Sequence, residues 1–325
     1  MHGRQSEGSN VTTLILGSNG FIGRRLTSLL ASQGEEVVGM DIAPPPAGFE
    51  DLAPQVRFIR GDLRRFDDVV ASMLSVRPTR VVNLAYMLGS DHPPHVAQQL
   101  NIVGMDNCFE ASRLADVEHV VFGSSLAVNG KQTYFGDRFV TEDDHLYGIG
   151  YQYATHKIFN EWQAKDYREK HGMNITAVRP ANVSGHDKVF GSVDHVQVIT
   201  GPALGRPVSF PFADAMRSPI HVDDVAAIFA KITLTAEPKH NVYNTGGTAT
   251  SLGELADLVR EFIPEADISF DKETGGKADC TNYLIDNTRL REEFGFEFPT
   301  LRERVQKIIT DVRAEQGTGA VAAGV

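Results

Sequence analysis

From Thr12 onward the chain alternates short runs of Val, Ile and Leu with longer stretches in which apolar residues recur every three or four positions. The short runs, 12–16, 36–40, 56–60, 80–85, 119–123 and 175–179, lack polar alternation, as expected of strands covered on both faces of a sheet. Between them, 21–33, 66–75, 95–115 and 153–171 carry the helical period. Strand and helix in regular succession predict an α/β fold with a doubly wound parallel sheet. The Pro-rich stretch 44–46 and the segment 131–150 predict loops.

Beyond Arg179 the pattern changes. Residues 180–219 are rich in Gly and Pro with weak periodicity. A helix at 222–235, a strand at 241–243 and amphipathic helices at 252–262 and 301–313 follow. The expected organisation is a main sheet domain from 11–179 plus about 219–245, with a smaller C-terminal α/β region from about 180–218 and 246–316. Residues 1–10 and 317–325 are expected to be flexible tails.

Bulk properties narrow the function classes. An apolar share of 42% and a charged share of 22% suit a globular domain. No run nears the roughly 18 to 20 apolar residues needed to cross a bilayer. The first ten residues are polar, so the default expectation is a cytoplasmic protein with no membrane partner. Acidic residues number 42 against 31 basic ones, for a net charge of −11, which disfavours nucleic acid as a partner. Cys108 and Cys280 are the only cysteines, too few for a disulfide framework or a cysteine zinc site. The histidines show no metal-ligand spacing, so no metal is expected, and His145, His186 and His195 read as loop residues.

The first strand-to-helix junction reads Gly17-Ser18-Asn19-Gly20-Phe21-Ile22-Gly23. Glycines there permit a tight turn and a close approach to a pyrophosphate, while the helix N-terminus offers free N–H groups and a positive dipole end. Asp41 closes the second strand, where a carboxylate can accept both ribose hydroxyls of NAD and repel the extra phosphate of NADP. Arg24 and Arg25 could favour that phosphate but read as solvated first-turn residues. Asp62-Leu63, past the third strand, is placed to meet the adenine edge, with a helix N-cap as the alternative for Asp62. NAD is the expected cofactor.

Tyr153 and Lys157 stand at i and i+4 on one helix face. A phenol ordinarily titrates near about 10, and an adjacent ammonium is expected to lower that value and make Tyr153 a usable acid/base. Ser124 and Ser125 fall at the carboxyl end of the fifth strand, where ligands of open parallel sheets bind. The three features in this order point to hydride-transfer chemistry.

With these residues in place, the sequence resembles the extended short-chain dehydrogenases/reductases of the NAD-dependent epimerase/dehydratase family. The resemblance also rests on Gly61-Asp62-Leu63, Asn83-Leu84-Ala85, Asn101, Arg179-Pro180-Ala181-Asn182-Val183, His221-Val222-Asp223-Asp224-Val225 and Tyr243-Asn244. It implies that Leu84, Ala85 and Pro180 touch the cofactor and that the backbone at Val183 meets its carboxamide. By the same resemblance Ser125 bonds the substrate oxygen, Tyr153 exchanges its proton and Lys157 holds the nicotinamide ribose. Asn101 orders the region beneath. Homodimers are common in that family, often through helices in the places of 95–115 and 153–171, so a homodimer is expected.

Substrate identity stays open between two versions of this chemistry. Asn83 and Asn129 replace the His and Tyr frequent in relatives, and Ser124-Ser125-Leu126 replaces the Thr-Asp-Glu of sugar dehydratases, which argues against dehydration. Arg217 matches an arginine that clamps the diphosphate of nucleotide sugars, Asn182 a position that contacts the nucleotide, and Arg289 could add a second charge. Ser124 and Met87 are further candidate substrate contacts. The apolar stretches 210–216 and 86–88 suit a less polar alcohol or ketone if they line the pocket. The expectation therefore tilts to a dehydrogenase of a small-molecule substrate, with a nucleotide-sugar epimerase holding NAD tightly as the alternative. A non-catalytic NAD sensor is the reading from another class.

Overall fold

Val, Ile and Leu at successive strand positions point to opposite sheet faces, so each such strand needs a cover on both sides. The computed structural model describes residues 12–45, 56–88 and 92–322 and supplies both covers. The first half runs β1 (Thr12–Leu16), α1 (Phe21–Ser32), β2 (Glu36–Asp41), β3 (Val56–Arg60), α2 (Phe66–Val76) and β4 (Arg80–Asn83). It continues through α3 (Pro94–Gln98), a π-helical turn Gln99–Gly104, α4 (Met105–Leu114), β5 (His119–Gly123), α5 (Gln152–His171) and β6 (Ile175–Arg179). There follow β7 (Asn182–Ser184), α6 (Asp194–Ala203), β8 (Val208–Phe212), β9 (Met216–Arg217), β10 (Pro219–His221), α7 (Val222–Leu234) and β11 (Val242–Asn244). The chain closes with β12 (Thr250–Ser251), α8 (Leu252–Phe262), β13 (Ile268–Lys272), α9 (Thr288–Phe294) and α10 (Leu301–Ala322).

Seven strands form one sheet in the order β11-β6-β5-β4-β1-β2-β3, every pair parallel. Alternate residues serve opposite faces. Ile15, Val82, Val121 and Val178 pack with α1 and α7, whereas Leu14, Leu16, Val81, Val120 and Phe122 pack with α2, α4 and α5. Strand order reverses between β1 and β4, and such a switch point opens a crevice at the carboxyl ends of the strands. A third cluster, built from α6, β8, α8, β13 and α10, stands apart from the sheet.

Several expected elements end elsewhere. β4 stops at Asn83 because the Asn83 side-chain oxygen takes the Ala85 N–H at 3.1 Å. The helix expected over 95–115 is interrupted by the π-helical turn. The stretch 180–219, expected to be largely irregular, contains α6, whose β-branched DHVQVITGPA sequence hid its helical period. α10 runs to Ala322, into the tail expected from residue 317; residues 323–325, 1–10 and Pro46 lie outside the described residues. No helix among the described residues is long and apolar enough to cross a membrane.

Phe229 of α7 is fully buried in the first cluster, whereas Leu74 of α2 is 65% exposed. Phe229→Ala is expected to cost about 3–5 kcal/mol and Leu74→Ala within about 0.5 kcal/mol, read from denaturant midpoints.

Candidate active site

The glycine turn after β1 is backbone packed on backbone. Gly17 has φ +79°, and a Cβ there would lie 2.6 Å from the Ala85 nitrogen at the end of β4. A Cβ on Gly23 would lie 2.1 Å from the Gly17 oxygen. A side chain at either glycine would force the junction of β1, β4 and α1 to shift. No side chain caps the α1 N-terminus at Gly20, and its first turn holds no acid. Its peptide N–H groups and positive dipole end are thus available to an anion. Asn19 donates its backbone N–H to Asp41 at 3.0 Å and its side-chain amide to the Ala43 carbonyl at 2.8 Å. Asp41 also accepts the Ala43 N–H at 3.1 Å, so its carboxylate is fixed at the tip of β2. A dinucleotide fits these residues: pyrophosphate at Gly20–Gly23 and ribose at Asp41.

The other expected cofactor residues divide. Phe21 packs its ring where a Gly185 side chain would stand, and Ile22 packs against the first core cluster. Leu84 donates its N–H to the Leu16 carbonyl, and Pro180 accepts the Leu126 N–H at 3.1 Å. Val183 offers a carbonyl already bonded by Lys188 at 2.7 Å and facing His195 at 3.1 Å. Leu63 buries its side chain in the second cluster. Asp62 caps nothing: its carboxylate is held by the Arg64 side chain and N–H. Arg24 and Arg25 are half-buried and paired rather than free in solvent. Both bond Asp187, Arg25 through two nitrogens at 2.7 and 2.8 Å, which ties α1 to the segment after β7.

Tyr153, Lys157 and Ser125 come together behind the end of β5. Lys157 donates to the Gly123 carbonyl at 2.5 Å and is nearly inaccessible to solvent. Ser125 accepts the Ala127 N–H at 3.2 Å and stands beside the Tyr153 phenol. Burial pushes that phenol up to about 12, with Ser125 pulling the other way. The Lys157 nitrogen lies 3.2 Å from the centre of the Tyr86 ring and 5.8 Å from that of Tyr153. Ser124, expected to touch substrate, turns inward and donates to Glu161 at 2.5 Å. Glu161 also pairs with Arg179 through bonds of 2.8 and 2.7 Å. Continuing the fourfold spacing of Tyr153 and Lys157 by one step would have found it.

Beneath the crevice the π-helical turn presents Asn101, which accepts the Met87 N–H at 2.9 Å and donates to the Met87 carbonyl at 3.1 Å. A π turn adds a residue to the helical circuit, and such turns concentrate at functional sites. Met87 is thereby held by its backbone.

The expected substrate clamp is closed. Arg217 bonds Asp194 through Nε at 3.0 Å and through Nη2, and its Nη1 donates to the Met216 carbonyl at 2.7 Å. Burial alone would raise the Asp194 carboxyl, but bonds from His195 and Arg217 hold it well below the usual range. Asn182 accepts the Ser218 N–H at 2.8 Å. Arg289 pairs with Asp143 and Glu142. His195, expected in a loop, is fully buried in α6. The stretch 210–216 does not supply an apolar pocket, since Phe210, Phe212, Ala215 and Met216 pack into the third cluster. Among the described residues no His, Cys, Asp and Glu group could hold a metal. Two cavities of about 340 and 370 Å³ flank His221 and include none of Ser125, Tyr153 or Lys157.

Residues 13–246 match the NAD dependent epimerase/dehydratase family. The chain belongs to this family. It is an NAD-dependent enzyme of that family, with the short-chain dehydrogenase/reductase fold. It is 28% identical over 299 residues to the UDP-glucose 4-epimerase of Mycolicibacterium smegmatis, covering 88% of this chain and 93% of that protein. It is 27% identical over 313 residues to the dTDP-4-dehydro-6-deoxy-D-allose reductase of Streptomyces bikiniensis, covering 91% and 94%. Its fold matches the Thermus thermophilus UDP-glucose 4-epimerase complex with NAD, at a TM-score of 0.81 and 23% identity over 93% of this chain and 99% of that one.

Gly23→Ala is expected to weaken NAD binding at least about 100-fold in calorimetry while far-ultraviolet dichroism is retained, because a 1 Å shift of the turn misplaces its N–H groups. Glu161→Gln, which leaves the Arg179 cation buried without its partner, is expected to cost about 3–5 kcal/mol in denaturant unfolding.

Proposed function

We propose that this family member transfers hydride between NAD and a secondary alcohol or ketone carbon of a small molecule, acting as a dehydrogenase with Tyr153 as its acid/base. The observation that carries the dehydrogenase reading is the closed Arg217–Asp194 pair. A diphosphate would have to displace a carboxylate that already occupies the Nε and Nη2 edge of the guanidinium, while Nη1 is held by the Met216 carbonyl. NAD, when bound, supplies the hydride acceptor. Gly20 to Gly23 and Asp41 hold it, Leu84, Ala85, Pro180 and Val183 border it, and Lys157 contacts its ribose. Ser125 and Tyr153 bind the substrate oxygen, and Tyr153 moves the proton at its hydroxyl. Lys157 is almost wholly buried, which limits water on its side of that transfer.

The region 180–218 with 246–316 forms the substrate-binding part, and Met87 and Asn182 border the substrate from two sides. A nucleotide-sugar epimerase or reductase is the second reading, favoured by the named activities of the relatives in Mycolicibacterium and Streptomyces. A homodimer is supported by Val103, Phe159 and Trp162, large apolar side chains 39%, 49% and 57% exposed on the π-helical turn and α5.

Tyr153→Phe is expected to lower turnover at least about 100-fold while NAD affinity changes little, which separates an enzyme from a sensor. Wild-type protein is expected to turn over secondary alcohols with NAD and to bind UDP- and dTDP-sugars weakly, whereas Asp194→Asn is expected to bind them at least about tenfold more tightly in calorimetry. Tight nucleotide-sugar binding by the wild type, with NAD that survives dialysis, would establish the epimerase instead.

A further inference from the structure

Lys157 is a charge in an expensive place. Its side chain is almost wholly buried, and among the described residues its ammonium has one hydrogen-bond acceptor, the Gly123 carbonyl. Burial drives its pKa well down, opposed by the Glu161 carboxylate one helical turn on. That carboxylate is already shared between Arg179 and Ser124. The remaining cover is aromatic: the Lys157 nitrogen stands 3.2 Å from the centre of the Tyr86 ring. A cation over a tyrosine face is attracted by the ring quadrupole, and more strongly where water is excluded.

Tyr86 is itself fixed. Its hydroxyl donates to the Asn160 oxygen at 3.1 Å, and the Asn160 amide donates to the Asn101 carbonyl at 2.8 Å. Its ring meets Tyr153 edge to face, with centres 5.6 Å apart. The segment that follows β4 is therefore bound to the π-helical turn through Tyr86 as well as Met87.

We propose that Tyr86 is a positioning residue of the active site, whose ring face carries the Lys157 ammonium so that the lysine stays cationic and aimed beside Tyr153. The role of that charge rests on the reading of Tyr153 and Lys157 as the acid/base pair. The charged and titratable groups around the ammonium are Glu161, His156 and Tyr153 on its own helix, Arg179 behind Glu161, and Tyr86 from the end of β4. Loss of the ring removes an attraction made only by the charged lysine. The Lys157 pKa must then fall further, and the alkaline limit of activity moves to lower pH with it.

Three variants test this. Tyr86→Phe keeps the ring and loses the hydroxyl, while Tyr86→Leu and Tyr86→Met keep bulk and lose the quadrupole. NMR titration of isotope-labelled lysine in the purified protein, with the Lys157 resonance assigned by Lys157→Ala, reads the group without any turnover. The Leu and Met variants are expected to titrate Lys157 about one pH unit lower, and the Phe variant within about 0.3 unit of wild type. In the pH profile of turnover the alkaline limb follows the same order, with activity roughly tenfold lower above the new limit. The proposal is overturned if Lys157 titrates unchanged or higher in a folded Leu or Met variant. It is equally overturned if Phe behaves as Leu does, which would assign the effect to the Asn160 bond. Should Tyr153→Phe retain turnover, the acid/base reading fails while the titration still reads the Tyr86–Lys157 contact.

Discussion

The buried pair between Arg179 and Glu161 is the contact around which the site is assembled. Arg179 ends β6, Glu161 lies in α5, and the carboxylate reaches across to Ser124 at the end of β5. A desolvated ion pair adds little net stability, because the cost of leaving water offsets its attraction. What it imposes is geometry. With Glu161 held, the face of α5 that carries Tyr153 and Lys157 cannot rotate or slide relative to the strand that carries Ser125. The Arg179 guanidinium also donates to the Glu142 carbonyl, which extends the same constraint into the loop between β5 and α5.

A second constraint is steric, at the switch point of the sheet. The ends of β1 and β4 meet there with no side chain between them, and α1 begins in the same volume. The absence of atoms at Gly17 and Gly23 leaves the uncapped helix terminus facing the crevice. The glycine turn after β1 and Ser125 after β5 open on the same end of the sheet, with β4 paired between those two strands.

Around this centre, cations that the sequence presents as available for phosphate are satisfied by distant carboxylates. Arg24 and Arg25 go to Asp187, Arg217 to Asp194, and Arg289 to Asp143. Partners so placed orient loops rather than contribute much stability, since surface ion pairs are individually weak. A guanidinium engaged on its fork is no longer an open anion receptor.

Local pattern determined a great deal here. Unbroken Val, Ile and Leu runs, helical periodicity and the glycine turn depend on residues a few positions apart, so the sheet elements, the tight turn between β1 and α1 and the Tyr153–Lys157 face were legible in the sequence. The i+4 relation of Lys157 to Glu161 was equally present there, although only its burial beside Arg179 gives it meaning. The pairing of charges was decided by tertiary structure, because those partners are separated by 23 residues for Arg217 and Asp194 and by 163 for Arg24 and Asp187. The same holds for the inward turn of Ser124 and for the Tyr86 ring beneath Lys157. Sequence spacing sets which groups share a face of one element, whereas desolvation and Coulomb energy depend on what another element brings within a few ångströms of it.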